Sequence, residues 1–179
     1  GDVAFLNQSA HALGLSVFSA PRVNLNGEPI SSTRIRTAMA KGDIERVNAL
    51  LGYTYRSQGT VIEGRRLGRK IGFPTLNLPW SPECAPQLGV YAVELTKSTG
   101  SKVWRGVANY GVRPTVSDGA PPEPVLEVHL FETPDFSTGT ELQVDWCSYL
   151  RAEKRFDNIE VMRDQITMDR GAAMQWFER

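Results

Sequence analysis

Histidine and cysteine are nearly absent from this chain, with two of each among 179 residues. His11 and His129 are too few to build a metal cluster on imidazoles. Cys84 and Cys147 lie too far apart for a disulfide framework or a zinc knuckle, and two reduced thiols are the expected state. A charge excess of either sign is missing too, since 20 basic side chains balance 20 acidic ones. That argues against a general nucleic-acid binder, which needs a basic excess to neutralise phosphates; one local cluster of cations still suffices for a small anion. No apolar run approaches the ~20 residues that span a bilayer, so no membrane partner is expected. No basic segment followed by an apolar stretch opens the chain; no signal peptide is visible and a cytoplasmic location is expected. Internal repeats and low-complexity tracts are lacking as well. What is present is an apolar fraction of 41%. That is enough for a packed core, in a chain long enough for one full domain and a piece of another.

Two regions follow from periodicity. Over residues 1–51 the pattern is helical. Residues 4–13 read as a helix ended by Gly14, and 16–23 as extended chain. Ser31, Ser32 and Thr33 offer a cap for a helix running to Met39 and stopped by Gly42. Asp43 caps another, with Ile44, Val47, Leu50 and Leu51 at helical spacing. From Tyr53 the period shifts toward two. Strands are expected at 53–62, 75–78, 89–96, 103–109, 125–131 and 142–150, separated by segments rich in Gly, Pro, Ser and Asp. Six short strands of this kind suggest a mainly β antiparallel barrel or sandwich. Residues 158–177 read as a helix whose Ile159, Met162, Ile166, Ala173 and Phe177 form one stripe against the barrel. Pro-rich loops at 79–88 and 112–124 are long enough to be functional or mobile.

Residues 64–77 hold the densest signal. Gly64, Gly68 and Gly72 are spaced by four, with Arg65, Arg66, Arg69 and Lys70 among them. Glycine lets backbone N–H groups approach an anion closely, so the segment reads as a phosphate cradle or, on spacing alone, as a solvated turn. It is not a P-loop, because no Gly-Lys-Ser/Thr follows and a strand comes next. Thr75 and Asn77 then share one face of that strand. A hydroxyl and an amide are neutral oxygen donors suited to Mg²⁺, which takes one or two ligands from protein and the rest from phosphate and water. The alternative is the polar face of an edge strand. Glu127 shares a face with Val125, His129 and Phe131, opposite Leu126, Val128 and Leu130. It reads as a general base or as an exposed carboxylate. His129 reads as packed or hydrogen-bonded rather than catalytic. Arg113, before Pro114 at a strand end, reads as a partner for a planar ligand or as a surface side chain.

Taken in order, these segments resemble the riboflavin kinase module, which stands alone in eukaryotes and is fused to an FMN adenylyltransferase in bacteria. The family hallmark Gly-Phe-Pro-Thr-Ala-Asn stands here as Gly72-Phe73-Pro74-Thr75-Leu76-Asn77. The likeness continues through residues 89–93, 109–115, 126–131 and 150–156, then Gln165, Ile166 and Asp169, and covers residues 52–179. The resemblance implies a six-stranded antiparallel Greek-key barrel with a C-terminal α-helix. It implies an enzyme that moves the γ-phosphate of ATP onto the 5′-hydroxyl of riboflavin, with Mg²⁺, giving FMN and ADP. Thr75 and Asn77 would bind the metal, and Glu127 would be the base. ATP would lie against Gly64, Arg65, Arg66, Gly68, Arg69, Lys70, Gly72, Pro74, Thr75 and Asn77. The flavin would lie against Asn109, Arg113, Thr115, Glu127 and Arg151. Leu76 replaces the alanine of the hallmark; it points away from Thr75 and Asn77, so a packing change is expected and not a loss of metal binding.

Residues 1–51 resemble a different module. Ile30-Ser31-Ser32-Thr33-Arg34-Ile35-Arg36 is similar to the Ile-Ser-Ser-Thr-x-x-Arg signature of nucleotidyltransferases, and residues 42–52 are similar to the link in bacterial bifunctional FAD synthetases. The early His-x-Gly-His element is lacking. Residues 1–51 are therefore expected to be the α-helical remnant of a Rossmann-like adenylyltransferase domain with its linker. The chain would be a C-terminal portion, engineered or processed, that makes no FAD by itself. Its missing N-terminal adenylyltransferase domain is a candidate partner beside riboflavin and ATP. Two other readings stand: a barrel that binds flavin without chemistry, and a FAD synthetase fragment that needs its missing half.

Overall fold

The computed structural model describes residues 3–64, 67–112 and 124–179, with backbone alone at 67 and 70. It divides into two compact units, Gly1–Ser31 and Ser32–Arg179. The first holds helix α1 (Val3–Ala12) and a small hairpin of β1 (Asn24–Leu25) and β2 (Glu28–Pro29). Asn26 and Gly27 turn that hairpin with φ of 55° and 79°. Two successive positive φ angles are the type I′ geometry that Asn-Gly favours. Periodicity does not reveal this hairpin, because two-residue strands are too short to show alternation.

The second unit holds α2 (Ser32–Ala40), α3 (Ile44–Leu51), β3 (Arg56–Thr60), a short turn of helix α4 (Leu67–Lys70), β4 (Leu76–Pro79), β5 (Gly89–Lys97), β6 (Val103–Val112), β7 (Pro124–Leu130), β8 (Glu141–Ala152) and α5 (Ile159–Phe177). The six strands lie where alternation placed them. All pair antiparallel, in the order β3-β8-β5-β6-β7-β4. β5, β6 and β7 are consecutive neighbours and β8 returns beside β5, which is the Greek-key order. The two end strands come together just past β3, where the Ile62 N–H donates to the Asn77 carbonyl at 2.9 Å. The barrel is thus nearly closed, which leaves little open edge.

Alternation fills the interior. β7 buries Leu126, Val128 and Leu130, which join Tyr91, Val93, Trp104, Tyr110, Val144 and Trp146 in one core. Tyr91 meets the Trp146 ring edge-on at 4.8 Å between centroids, the tilted arrangement that aromatic quadrupoles prefer. Ala38 and Met39 of α2, with Ile44 and Val47 of α3, are buried in the same core. Packing therefore unites residues 32–51 with the barrel, whereas the resemblance drew its boundary at 51/52. Asp43 starts α3 as expected, accepting the Arg46 N–H at 3.2 Å.

α5 begins at Asn158, whose side chain accepts the Val161 N–H at 2.9 Å. Its later turns cover the outer face of the barrel, with Ala173, Trp176 and Phe177 against Val90, Ala92, Val107 and Cys147. One expected stripe residue departs from this face: Ile159 is 52% exposed. Asp169 instead occupies the buried side at 6% exposure, because it meets a cation there. Among the described residues no helix is long and apolar enough to cross a membrane.

Candidate active site

The side chains that alternate with the core line up across the outer wall. Asn77 on β4 is opposite Glu127 on β7, and Glu127 is opposite Asn109 on β6. Asn109 is opposite Val90 on β5, and Val90 is opposite Arg151 on β8. Directly paired residues of a sheet stand about 5 Å apart on one face, so register alone draws these residues into a single row. The row floors a cleft of about 360 Å³ that is roofed by Met162, Ile166 and Asp169 of α5. Thr75, His129, Gly68, Ile71 and Phe73 line one end, and Glu153, Lys154 and Phe156 also border it. Thr75, Asn77, Glu127, Asn109 and Arg151, proposed from separate segments of sequence, therefore share one cleft.

Local backbone explains the arrangement. The Gly64 backbone lies directly against the Asn77 carboxamide, where a Cβ would collide with it. Glycine at 64 is what lets this loop approach Asn77 so closely. Gly72 then takes a φ of 88°, turning the chain into the Pro74 motif. Leu76 pairs with Val128 and packs against the barrel core, on the face opposite Asn77. On the other side of Glu127, Asn109 Nδ2 stands 3.5 Å from Glu153 Oε1, at the margin of a hydrogen bond.

Arg151 is forked onto Asp169. Its Nε donates to Oδ1 at 2.8 Å and its Nη2 to Oδ2 at 2.6 Å, while Nη1 donates to the Ala152 carbonyl at 2.8 Å. Gln165 Nε2 donates to Asp169 Oδ1 at 2.9 Å, and Lys154 Nζ to Gln165 Oε1 at 3.2 Å. Bidentate, charge-assisted pairing of this kind fixes geometry as well as adding energy. It fastens α5 to β8 and so sets the roof of the cleft. In the sequence, Gln165 and Asp169 stand out only through the resemblance, which gives them no role. The one other signal in the sequence is that they interrupt an apolar stripe.

His129 is half-buried, with Nδ1 3.0 Å from the Pro74 carbonyl and its ring edge-on to Phe73 at 5.1 Å. Burial holds its pKa below the ordinary 6.5; the Pro74 carbonyl opposes that shift and nearby Arg170 adds to it. The ring is therefore neutral at pH 7.

A second cavity of about 600 Å³ shares Thr75 and His129 with the first. Gly64, Arg69, Gly72 and Pro74 bound it on one side, and Phe131, Glu132, Thr133 and Pro134 on another. Of the residues expected at the nucleotide, these four line the second cavity, Gly68 and Asn77 the first, and Thr75 both. Arg65, Arg66, Arg113 and Thr115 lie outside the described residues, as does the side chain of Lys70. The second cavity's wall at 131–134 was not foreseen, since nothing in its composition marks it.

The donors at the junction suit a hard cation: a hydroxyl from Thr75 and a carboxamide oxygen from Asn77, beside the Glu127 carboxylate. Among the described residues no three His, Cys, Asp or Glu side chains gather as a metal site. A cation held here would draw its other ligands from phosphate and water, as Mg²⁺ commonly does.

A family model described as Flavokinase, riboflavin kinase, matches residues 51–177. The chain is 38% identical over 149 residues to a bifunctional riboflavin kinase/FMN adenylyltransferase of Bacillus subtilis (strain 168), covering 83% of this chain and 46% of that protein. It is 37% identical over 177 residues to a protein of the same name from Haemophilus influenzae, covering 99% of this chain and 56% of that protein. Among solved structures, that of a macrolide-efflux protein from Streptococcus pneumoniae matches with a TM-score of 0.77 and 31% identity, covering 88% of this chain and 50% of that chain. The chain spans about half the length of the curated relatives it matches.

Proposed function

The chain belongs to the riboflavin kinase family, and on that premise we propose that it transfers the γ-phosphoryl group of ATP to the 5′-hydroxyl of riboflavin, giving FMN and ADP. The observation that carries this reading is convergence. Thr75, Asn77 and Glu127 line one cleft, and a second cavity meets that cleft at Thr75 and His129. Phosphoryl transfer asks the protein mainly to bring two substrates end to end, in line, so two chambers that touch at the reacting atoms suit it. The first chamber takes the flavin: Ile71, Phe73, Phe156, Met162 and Ile166 offer apolar walls to a flat ring, and the polar row offers partners to a polyol. The second takes the nucleotide, whose phosphates face Gly64, Arg69 and Gly72.

Thr75 and Asn77 would hold Mg²⁺ bound with ATP, which supplies charge neutralisation at the phosphoryl oxygens. Glu127 takes the proton of the 5′-hydroxyl as that oxygen bonds to the γ-phosphorus, while the bond from the γ-phosphorus to the bridging oxygen breaks and ADP leaves. Asn77 and Asn109 flank Glu127 in the ladder, one on each neighbouring strand. α5 closes the cleft against water, which otherwise competes as acceptor. Arg151 keeps α5 in place through Asp169, and so borders the flavin by shaping its chamber. Residues 1–51 are read as the remnant of an adenylyltransferase domain and its linker, residues 52–179 as the kinase domain, and the site of action as the cytoplasm. The His-x-Gly-His element of nucleotidyltransferases does not occur in residues 1–179, so these residues are not expected to form FAD.

The test is chromatography of riboflavin incubated with the chain, ATP and Mg²⁺. FMN and ADP are expected in equal amounts, with no FAD. Riboflavin binding without ATP consumption would contradict the reading and leave a flavin-binding barrel in its place.

A further inference from the structure

His129 stands where the two cavities meet and has no part in the transfer just described. The β4–β7 ladder runs from Pro79 opposite Val125 to Leu76 opposite Val128, and there it stops. Carried one step further, the same register sets Thr75 opposite His129. The backbone cannot extend the ladder beyond that step, because Pro74 has no N–H to donate. The imidazole supplies the next rung instead, through Nδ1 at 3.0 Å from the Pro74 carbonyl. A carbonyl only accepts, so Nδ1 carries the proton and Nε2 is bare in the neutral ring. Phe73, edge-on at 5.1 Å and 77°, braces the ring. One side chain thus ties Pro74, and with it Thr75, to the strand that carries Glu127 two residues away on the same face.

We propose that His129 is a positioning residue for phosphoryl transfer, whose Nδ1–H bond to the Pro74 carbonyl sets Thr75 against Glu127. The inference rests on the reading that Thr75 and Glu127 serve that transfer. Thr75 precedes the first residue of β4 and so has no place of its own in the ladder. Without the imidazole rung its hydroxyl would shift relative to the carboxylate across the junction. A misplacement of about 1 Å at a reacting centre costs on the order of 100-fold in rate.

Three variants and one spectrum test this. His129→Asn puts an amide N–H near the position of Nδ1, His129→Gln puts it near Nε2, and His129→Phe keeps a ring with no donor. His129→Asn is expected to keep kcat within about threefold of the wild type. His129→Gln and His129→Phe are expected to lose about 100-fold in kcat, with the riboflavin KM changed by less than about threefold. Wild-type kcat in the Gln or Phe variant, or equal impairment of Asn and Gln, would overturn the inference. Should the Phe variant fail to fold, the Asn and Gln pair decides. Nitrogen-15 NMR of the wild type reads the bond apart from turnover: His129 should be protonated at Nδ1 and bare at Nε2 at neutral pH, and the opposite tautomer would overturn the inference. A wild-type chain that forms no FMN sinks the proposed function and this inference with it. An active wild type with equally active Gln and Phe variants sinks the inference alone.

Discussion

On β7, Leu126, Val128 and Leu130 point into the barrel and are buried, while Glu127 and His129 between them point into the cleft beneath α5. The inner set meets other apolar side chains, and volume is most of what each position asks for. The outer set faces polar neighbours instead: register sets Glu127 between Asn77 and Asn109, and His129 meets the Pro74 carbonyl. β6 repeats the division, with Ala108 and Tyr110 inside and Asn109 outside. A wall one strand thick therefore separates the residues that hold the barrel from those assigned to its chemistry. The two sets alternate along the same chain, so neighbours in sequence should fail in different ways when they are changed.

Glu127→Gln is the sharpest way to draw that line. It is expected to lower kcat by about 10²–10⁴-fold, the usual worth of a positioned general base, and to leave flavin affinity and Tm close to the wild type. FMN formation and flavin fluorescence titration measure the two, and near-normal turnover would remove Glu127 as the base. Leu126→Ala, one residue away, should lose about 2–5 kcal/mol of stability in chemical denaturation, the cost of a cavity in a packed core. The kcat of its folded fraction should be unchanged; a matching loss of kcat would merge the two faces. Asp169→Asn weakens the fork that holds α5 and is expected to cost about 1.5–3 kcal/mol, the range for a hydrogen bond to a charged group. Riboflavin KM should rise with little change in kcat, as the roof of the cleft relaxes. The smallest effect lies in acid. Burial and Arg170 hold the pKa of His129 below 6.5 in the folded chain, so the unfolded chain takes up that proton first. Its contribution to stability is intact above pH 6.5, shrinks as pH falls through 6.5, and is gone below the folded pKa. Denaturation midpoints of the wild type should thus fall more steeply than those of His129→Asn over this range; parallel slopes would contradict a buried neutral ring.

The barrel was legible because alternation marks a strand buried on one side, and β7 shows it in every residue from Leu126 to Leu130. The cap of α3 was legible as Asp43, whereas Asn158, which caps α5, was read only as the first residue of that helix. Thr75 and Asn77 were legible as a pair because a period of two puts them on one face. Register was not legible. Nothing in the spacing of Asn109 and Glu127 shows that β6 sets them side by side; only the ladder does. Asp169 entered only through the resemblance, without a role, because its cation, Arg151, comes from another element. Ile159 was misplaced for a related reason: helical period defines a stripe, but not how far along the helix the barrel extends to meet it. The Asn26-Gly27 turn carried a readable signal that the two-residue strands around it were too short to support.

A crystal structure of the chain with riboflavin, ADP and Mg²⁺ tests the account most directly. The flavin ring should lie beneath α5 in the first cavity, with its 5′ oxygen within hydrogen-bond reach of Glu127 and the phosphates beyond Thr75, against residues 64–72. A flavin bound elsewhere on the barrel, or one in the cleft with its ribityl end turned away from Glu127, would contradict it.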